Sequence, residues 1–74
     1  MPEEKLLTIF NHIRNKKNLA VINQINQDTL LRDDLGFDSL DLAEITVRIE
    51  DEFGVDIFED GFVTKVGEIL DKLQ

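Results

Sequence analysis

Apolar residues recur at helical spacing in three places along the chain. In the first, Leu6, Ile9, Phe10 and Ile13 follow Pro2, Glu3 and Glu4, a proline and two acids suited to a first helical turn. This predicts a helix over about residues 3–16. In the second, winding residues 40–53 at about 100° per residue gathers Leu42, Ile45, Ile49 and Phe53 on one face, the core side of a helix. Gly54 ends it, because glycine enters the left-handed conformation without steric cost. The same winding puts Leu40, Ala43 and Val47 on nearly the opposite side, rimmed by Glu44, Glu50 and Asp51, and predicts that these three apolar residues are exposed. In the third, Val66, Ile69, Leu70 and Leu73 form a stripe behind Thr64, which can cap the helix. Gly67 inside that helix costs about 1 kcal/mol against alanine, which points to close packing there.

The segments between are less regular. Residues 17–38 form a connection of a length unusual in a compact domain, and its apolar residues (Leu19, Val21, Ile22, Ile25, Leu30, Leu31, Leu35) predict that it is strapped across the core. Asp28-Thr29 can cap one turn within it. Between Gly54 and Thr64, Val55, Ile57, Phe58 and Phe62 alternate with Asp56, Glu59, Asp60 and Gly61, leaving room for a short helical turn. The expected fold is all-α, a small four-helix bundle of three longer helices and one short one. The 74 residues are expected to make a single domain, near the size where one hydrophobic core only just suffices.

Charge changes the picture more than composition does. Up to Arg32 there are five bases (Lys5, Arg14, Lys16, Lys17, Arg32) against three acids, a net of +2; from Asp33 onward thirteen acids face Arg48, Lys65 and Lys72, a net of −10, which together give the formal −8. Such a field repels nucleic-acid phosphates and anionic membrane, and it favours partners with basic patches. Crowding of the carboxylates also predicts raised pKa values and a fold that gains stability on mild acidification. The absence of cysteine excludes a disulfide framework and a thiolate metal site. No apolar run approaches the roughly 18 residues of a membrane span, and the charged start lacks the apolar stretch of a signal peptide, so no membrane insertion and a cytoplasmic location are expected.

Few residues offer chemistry. The lone His12 lies on the side of its helix away from Leu6, Ile9 and Ile13, with no second histidine to work with, and reads as a surface residue. A calcium loop from Asp56 onward fails, since Phe58 stands where a ligand is required and Gly67 where the bidentate glutamate belongs; no metal site is expected. Ser39, in "LGFDSLDLAE", is different. Either Asp38 or Ser39 can be the N-cap of the second helix, and a serine there also sits where unpaired amides and the helix dipole stabilise negative charge. No histidine or lysine beside it in sequence activates it as a nucleophile, so another protein must modify it.

The segment "LRDDLGFDSLDLAEITVRIEDEFGVDI", residues 31–57, resembles the acyl carrier protein family: the Asp-Ser-Leu of 38–40, the preceding Asp-Leu-Gly of 34–36 and the acidic helix ending in Glu-Phe all follow its pattern. The likeness extends to Thr64-Lys65-Val66, similar to the start of the family's last helix. It implies a non-catalytic acyl carrier domain over residues 1–74, with phosphopantetheine from coenzyme A attached covalently to Ser39 by a phosphopantetheinyl transferase. Acyl groups would then travel as thioesters to acyl-transferring or acyl-activating enzymes in lipid metabolism. The resemblance further implies that Asp38 helps present the serine. It also implies that Leu40, Asp41, Ala43, Glu44, Val47, Glu50 and Asp51 form the face offered to basic partners, and that the chain is a monomer. Arg48 stands where the family usually has a small uncharged residue, and the chain between Ile57 and Thr64 is about two residues short. With both departures in view, the pathways left open are fatty-acid synthesis and a specialised lipid, polyketide or surface-carbohydrate synthesis. The alternatives are an aminoacyl or D-alanyl carrier, which shares the modified serine, and an unmodified helical interaction module in which Ser39 is only a cap.

Overall fold

A computed structural model describes residues 2–59 and 61–73 of the chain. Three helices carry the fold: α1 (Pro2–Lys16), α2 (Ser39–Phe53) and α3 (Val66–Leu73). The first packs against both of the others. Leu6, Ile9, Phe10 and Ile13 of α1 are buried together with Ile45 and Ile49 of α2 and Val66, Ile69 and Leu70 of α3, as the periodicity predicts. Leu42 and Phe53 lie at the rim of the same core. No helix among the described residues is long and apolar enough to cross a membrane.

Each helix end has a local cause. The Leu19 amide donates to the Arg14 carbonyl at 2.9 Å and the Asn18 amide to Asn15 at 3.1 Å, with Asn18 left-handed at φ 61°, so α1 closes in a Schellman motif that uses asparagine in the usual glycine position. At the end of α2, Gly54 is left-handed at φ 72° and its amide reaches the Glu50 carbonyl at 2.7 Å. The start of α3 departs from expectation. The Thr64 hydroxyl caps no amide; instead Glu68 Oε1 reaches back and accepts from the Thr64 and Lys65 amides and from that hydroxyl, at 2.9, 3.0 and 3.0 Å.

The connection between α1 and α2 is the expected strap, though it buries fewer of its apolar residues than their number suggests. Leu31, Leu35 and Phe37 enter the core and Ile22 and Ile25 pack against it, while Val21 is 68% exposed. Asn11 of α1 holds the middle of the strap, its amide group donating to the Ile22 carbonyl and accepting from the Ile22 amide, both at 2.9 Å. Further on, the strap is tied to the approach and first turn of α3. Leu30 and Lys65 form an isolated antiparallel bridge, the Leu31 amide donates to the Thr64 carbonyl, and the Val66 and Gly67 amides donate to the carbonyls of Thr29 and Gln27. The turn near residue 28 is capped by Asn26, whose side chain accepts from the Asp28 amide, and by Thr29, whose hydroxyl accepts from the Asn26 amide; Asp28 itself does not cap it.

The short fourth helix expected between Gly54 and Thr64 does not form among the described residues; Asp60, within that expectation, lies outside them. The Asp56 carboxylate takes the Phe58 amide at 3.0 Å, and the carbonyls of Asp56 and Phe58 accept from Glu59 and Gly61. This closes a single turn, and Gly61 at φ 124° leaves helical space. Ile57 and Val63 anchor the segment in the core, whereas Phe62 is 92% exposed and meets the edge of Phe58.

Gly67 is where the strap and α3 touch most closely. A Cβ there would lie 2.8 Å from the Gln27 carbonyl oxygen and 2.9 Å from its Oε1, and the first of these is backbone that cannot swing away. Gly67→Ala is therefore expected to lower unfolding stability by about 1–3 kcal/mol in urea denaturation, despite the better helix propensity of alanine. A variant as stable as the parent would show that the strap is not held against α3 at this point.

Candidate functional site

Ser39 owes its place to the turn before it. Leu35 and Phe37 point into the core, Phe37 tilted against Phe10 of α1 with ring centroids 5.4 Å apart. Gly36 between them is left-handed at φ 77°, and a side chain there would crowd Leu19. The carbonyls this reversal exposes are taken up by the end of α1: an Arg14 Nη1 donates to Leu35 O, and Lys17 Nζ donates to Gly36 O at 2.8 Å. The chain then enters α2 through a reciprocal cap. Asp38 Oδ1 accepts from the Asp41 amide and Asp41 Oδ2 accepts from the Asp38 amide, each at 2.9 Å, which makes Asp38 the N-cap and Ser39 the first helical residue.

Lys17 completes the joint. Its ammonium donates to Asp41 Oδ2 and lies 3.8 Å from Asp38 Oδ2. The Asp41 side chain is only 16% exposed, and this partial burial pushes its carboxyl up, but the hydrogen bonds from Lys17 and from the Asp38 amide outweigh it and hold Asp41 below the ordinary aspartate value. The same bond to Asp41 raises Lys17 above the usual lysine value. Glu44 is likewise lowered, by its hydrogen bonds with Lys16 and Arg48, and Glu68 by the amides of Thr64 and Lys65. The carboxyl shifts of Asp41, Glu44 and Glu68 thus run downward, opposite to the rise expected from crowding: for Asp41 and Glu44 because cations from the end of α1 and from Arg48 lie against them, and for Glu68 because it caps backbone amides. Lys5 pairs with Glu52 and Lys16 with Glu44, and Arg48 turns back onto Glu44 within α2.

Residues grouped in the sequence as one partner face therefore separate into two sets. Leu40, Ala43 and Val47 are exposed, with Leu40 at 82%, and Glu50 and Asp51 stand exposed beside them. Asp41 and Glu44 belong to the edge that meets α1, where cations already engage them. His12 is exposed with its Nε2 3.0 Å from Arg48 Nη2, and no group of three or more His, Cys, Asp or Glu among the described residues could hold a metal ion.

The Ser39 hydroxyl is exposed and accepts from Arg32 Nη2 at 3.0 Å, a contact the sequence did not signal because it depends on the reversal at Gly36. Beside it runs an open groove of about 210 Å³, lined by Arg32, Ser39, Leu42, Ala43, Phe58 and Phe62. A single anionic ester on Ser39 would find a guanidinium at hand, and a flexible chain beyond it would find an apolar wall of matching direction. Residues 16–71 offer four hydroxyls, those of Thr29, Ser39, Thr46 and Thr64. Thr29 accepts an amide in its turn, Thr46 donates to the Leu42 carbonyl and Thr64 donates to Glu68.

A family model described as "phosphopantetheine attachment site" matches residues 16–71. No solved structure matches the chain.

The Lys17–Asp41 joint fixes a pH dependence. Asp41, Glu44 and Glu68, lowered from 3.8, 4.5 and 4.5, contribute stability above those values and lose it as pH falls through their folded-state values. Lys17, raised from 10.5, contributes fully below that value and loses its contribution as pH rises through the folded-state one. Mild acidification accordingly brings no gain through these groups. Asp41→Asn is expected to cost about 1–2 kcal/mol at neutral pH, and the difference should shrink at an acid pH below the folded-state value of Asp41, where the native carboxyl itself takes up a proton. Urea melts at the two pH values measure this; an equal loss at both would mean that the charge on Asp41 does not hold the joint.

Proposed function

Since the chain belongs to the phosphopantetheine-attachment family and so serves as a carrier of that covalent group, we propose that the arm is esterified to Ser39 and that acyl groups travel on it as thioesters. The observation that carries this reading is the placement of the hydroxyls within the matched segment. Thr46 and Thr64 donate to local acceptors and the half-buried Thr29 is bound into its turn, whereas Ser39, the only serine in the chain, stands exposed at the first position of a capped helix. When bound, the arm supplies a thiol that holds the acyl group and a tether long enough to reach separate active sites.

The chain's own part is to bind, orient and be recognised. The Arg32 guanidinium, the one side chain among the described residues that bonds the hydroxyl, is a donor with no acceptor atom to take its proton. The base must come from a phosphopantetheinyl transferase, which forms the phosphorus–oxygen bond to Ser39 as the pyrophosphate bond of coenzyme A breaks, adenosine 3′,5′-bisphosphate leaves and the hydroxyl proton passes to the enzyme. Asp38 holds the serine at the helix start through its cap and keeps a largely exposed carboxylate beside it. In this reading the chain is a monomeric cytoplasmic substrate of other enzymes rather than a catalyst. The exposed Leu40, Ala43 and Val47 fill a shallow apolar site on acyl-transferring or acyl-activating enzymes, and Glu50 and Asp51 steer the approach toward their basic residues. Arg48, paired with Glu44, interrupts the acidic rim, which favours a specialised lipid, polyketide or surface-carbohydrate pathway over general fatty-acid synthesis.

Two experiments test this. Incubated with a promiscuous phosphopantetheinyl transferase and coenzyme A, the native chain is expected to gain the mass of one arm. Ser39→Ala should gain none while losing no more than about 0.5 kcal/mol of stability, because Asp38 and not Ser39 is the cap. A native chain left unmodified under conditions that load a control carrier overturns the proposal. In stopped-flow binding to the transferase, Val47→Ala is expected to weaken affinity by about 1 kcal/mol through faster dissociation. Asp51→Lys should instead slow association, by a factor that shrinks as salt is added. If neither variant differs from the native chain at low salt, docking uses another surface.

A further inference from the structure

We infer that Arg32 is the positioning residue for the phosphodiester that joins the arm to Ser39, an inference that rests on the reading of Ser39 given above. In a chain of net charge −8, Arg32 makes no ion pair with a carboxylate among the described residues. Its Nη2 donates to Ser39 Oγ instead. Asp34, two residues on, accepts from the Leu30 amide at 2.7 Å. The other cations near the start of α2 are engaged elsewhere: Lys17 by Asp41 and the Gly36 carbonyl, and Lys16 by Glu44.

The electrostatics of the segment require such a group. Residues 33–47 contain Asp33, Asp34, Asp38, Asp41 and Glu44 and no base, so esterifying Ser39 adds one more negative charge to a field already of that sign. The helix start meets only part of that charge, because the Asp41 amide is already taken by the Asp38 carboxylate and the helix dipole amounts to about half a charge. A guanidinium supplies what is missing. Its planar fork matches two phosphate oxygens at once, and the non-bridging oxygens of a phosphodiester lie only two bonds from the Oγ that Arg32 already touches. Held on this side, the ester directs the arm away from Asp38 and Asp41 toward the groove that Arg32 shares with Phe58 and Phe62. A lysine would keep the charge and lose the fork.

The test compares native, Arg32→Lys and Arg32→Gln chains before and after transfer of the arm, with the attachment verified by mass. Arg32 is exposed, so all three unmodified proteins are expected to melt alike. In the native modified chain the phosphodiester ³¹P resonance should be displaced from its position in the urea-unfolded protein, and salt should move it back. Arg32→Gln should abolish the displacement, and at low salt attachment should lower its melting temperature by at least about 3 °C more than it does in the native chain. Arg32→Lys should fall between. The Arg32 Nε–H signal of the native chain, which needs no variant, should exchange more slowly with water once the arm is attached. A modified native chain whose ³¹P and Nε–H signals are unaffected, or an Arg32→Gln chain identical to native at low salt, overturns the inference alone. A native chain that accepts no arm overturns the Ser39 reading and this inference together.

Discussion

The Lys17 ammonium, set against the Asp41 carboxylate and the Gly36 carbonyl, is the contact on which the rest of the site depends. It joins the end of one helix to the start of the next at the point where the chain reverses. Asp41 Oδ2 accepts both from the Asp38 amide and from Lys17, so the orientation that closes the cap is the one that meets the ammonium, and that cap fixes the first turn of α2. Arg14 performs the same service one residue earlier, on the Leu35 carbonyl. Buried Leu35 and Phe37 pull the chain inward between these polar anchors, so the turn is determined from both sides. A serine at the next position then has little choice but to face outward.

The same arrangement explains how so acidic a chain stays folded. Opposite charges are matched along the seam between α1 and α2, with Lys5, Lys16 and Lys17 opposite Glu52, Glu44 and Asp41. Exposed pairs of this kind are individually weak. Their value lies in placement, because they neutralise the carboxylates nearest the core and leave Glu50 and Asp51 to define the outward field. Structure and recognition therefore draw on different members of one acidic helix.

Much of this was legible in the sequence because it rests on local rules. Three stripes of apolar residues located three helices, Gly54 stopped α2 where a left-handed residue was needed, and Gly67 marked a close approach that Gln27 now explains. What escaped depends on contacts between distant positions. Glu44 shares a helix side with Leu40 in a flat projection and Asp41 joined that face only through the family resemblance, yet both meet lysines from the end of α1 that no periodicity reveals. The carboxyl shifts were misjudged in sign for the same reason, since a tally of charge carries no geometry. The short fourth helix is not seen among the described residues because alternating apolar residues fit a single turn equally well, and Asp56 closes that turn with its own side chain. Arg32 read as one base in a loop until the reversal at Gly36 brought it to Ser39.

The seam between strap and last helix joins residues 27–31 to 64–67, far apart in sequence, whereas the joint at Ser39 is made entirely by α1, the strap and α2. An eight-residue helix has no stability of its own and persists only while docked. Undocking of α3 would break none of the hydrogen bonds that present the serine. The reactive end of the molecule is mechanically insulated from the fraying of its tail.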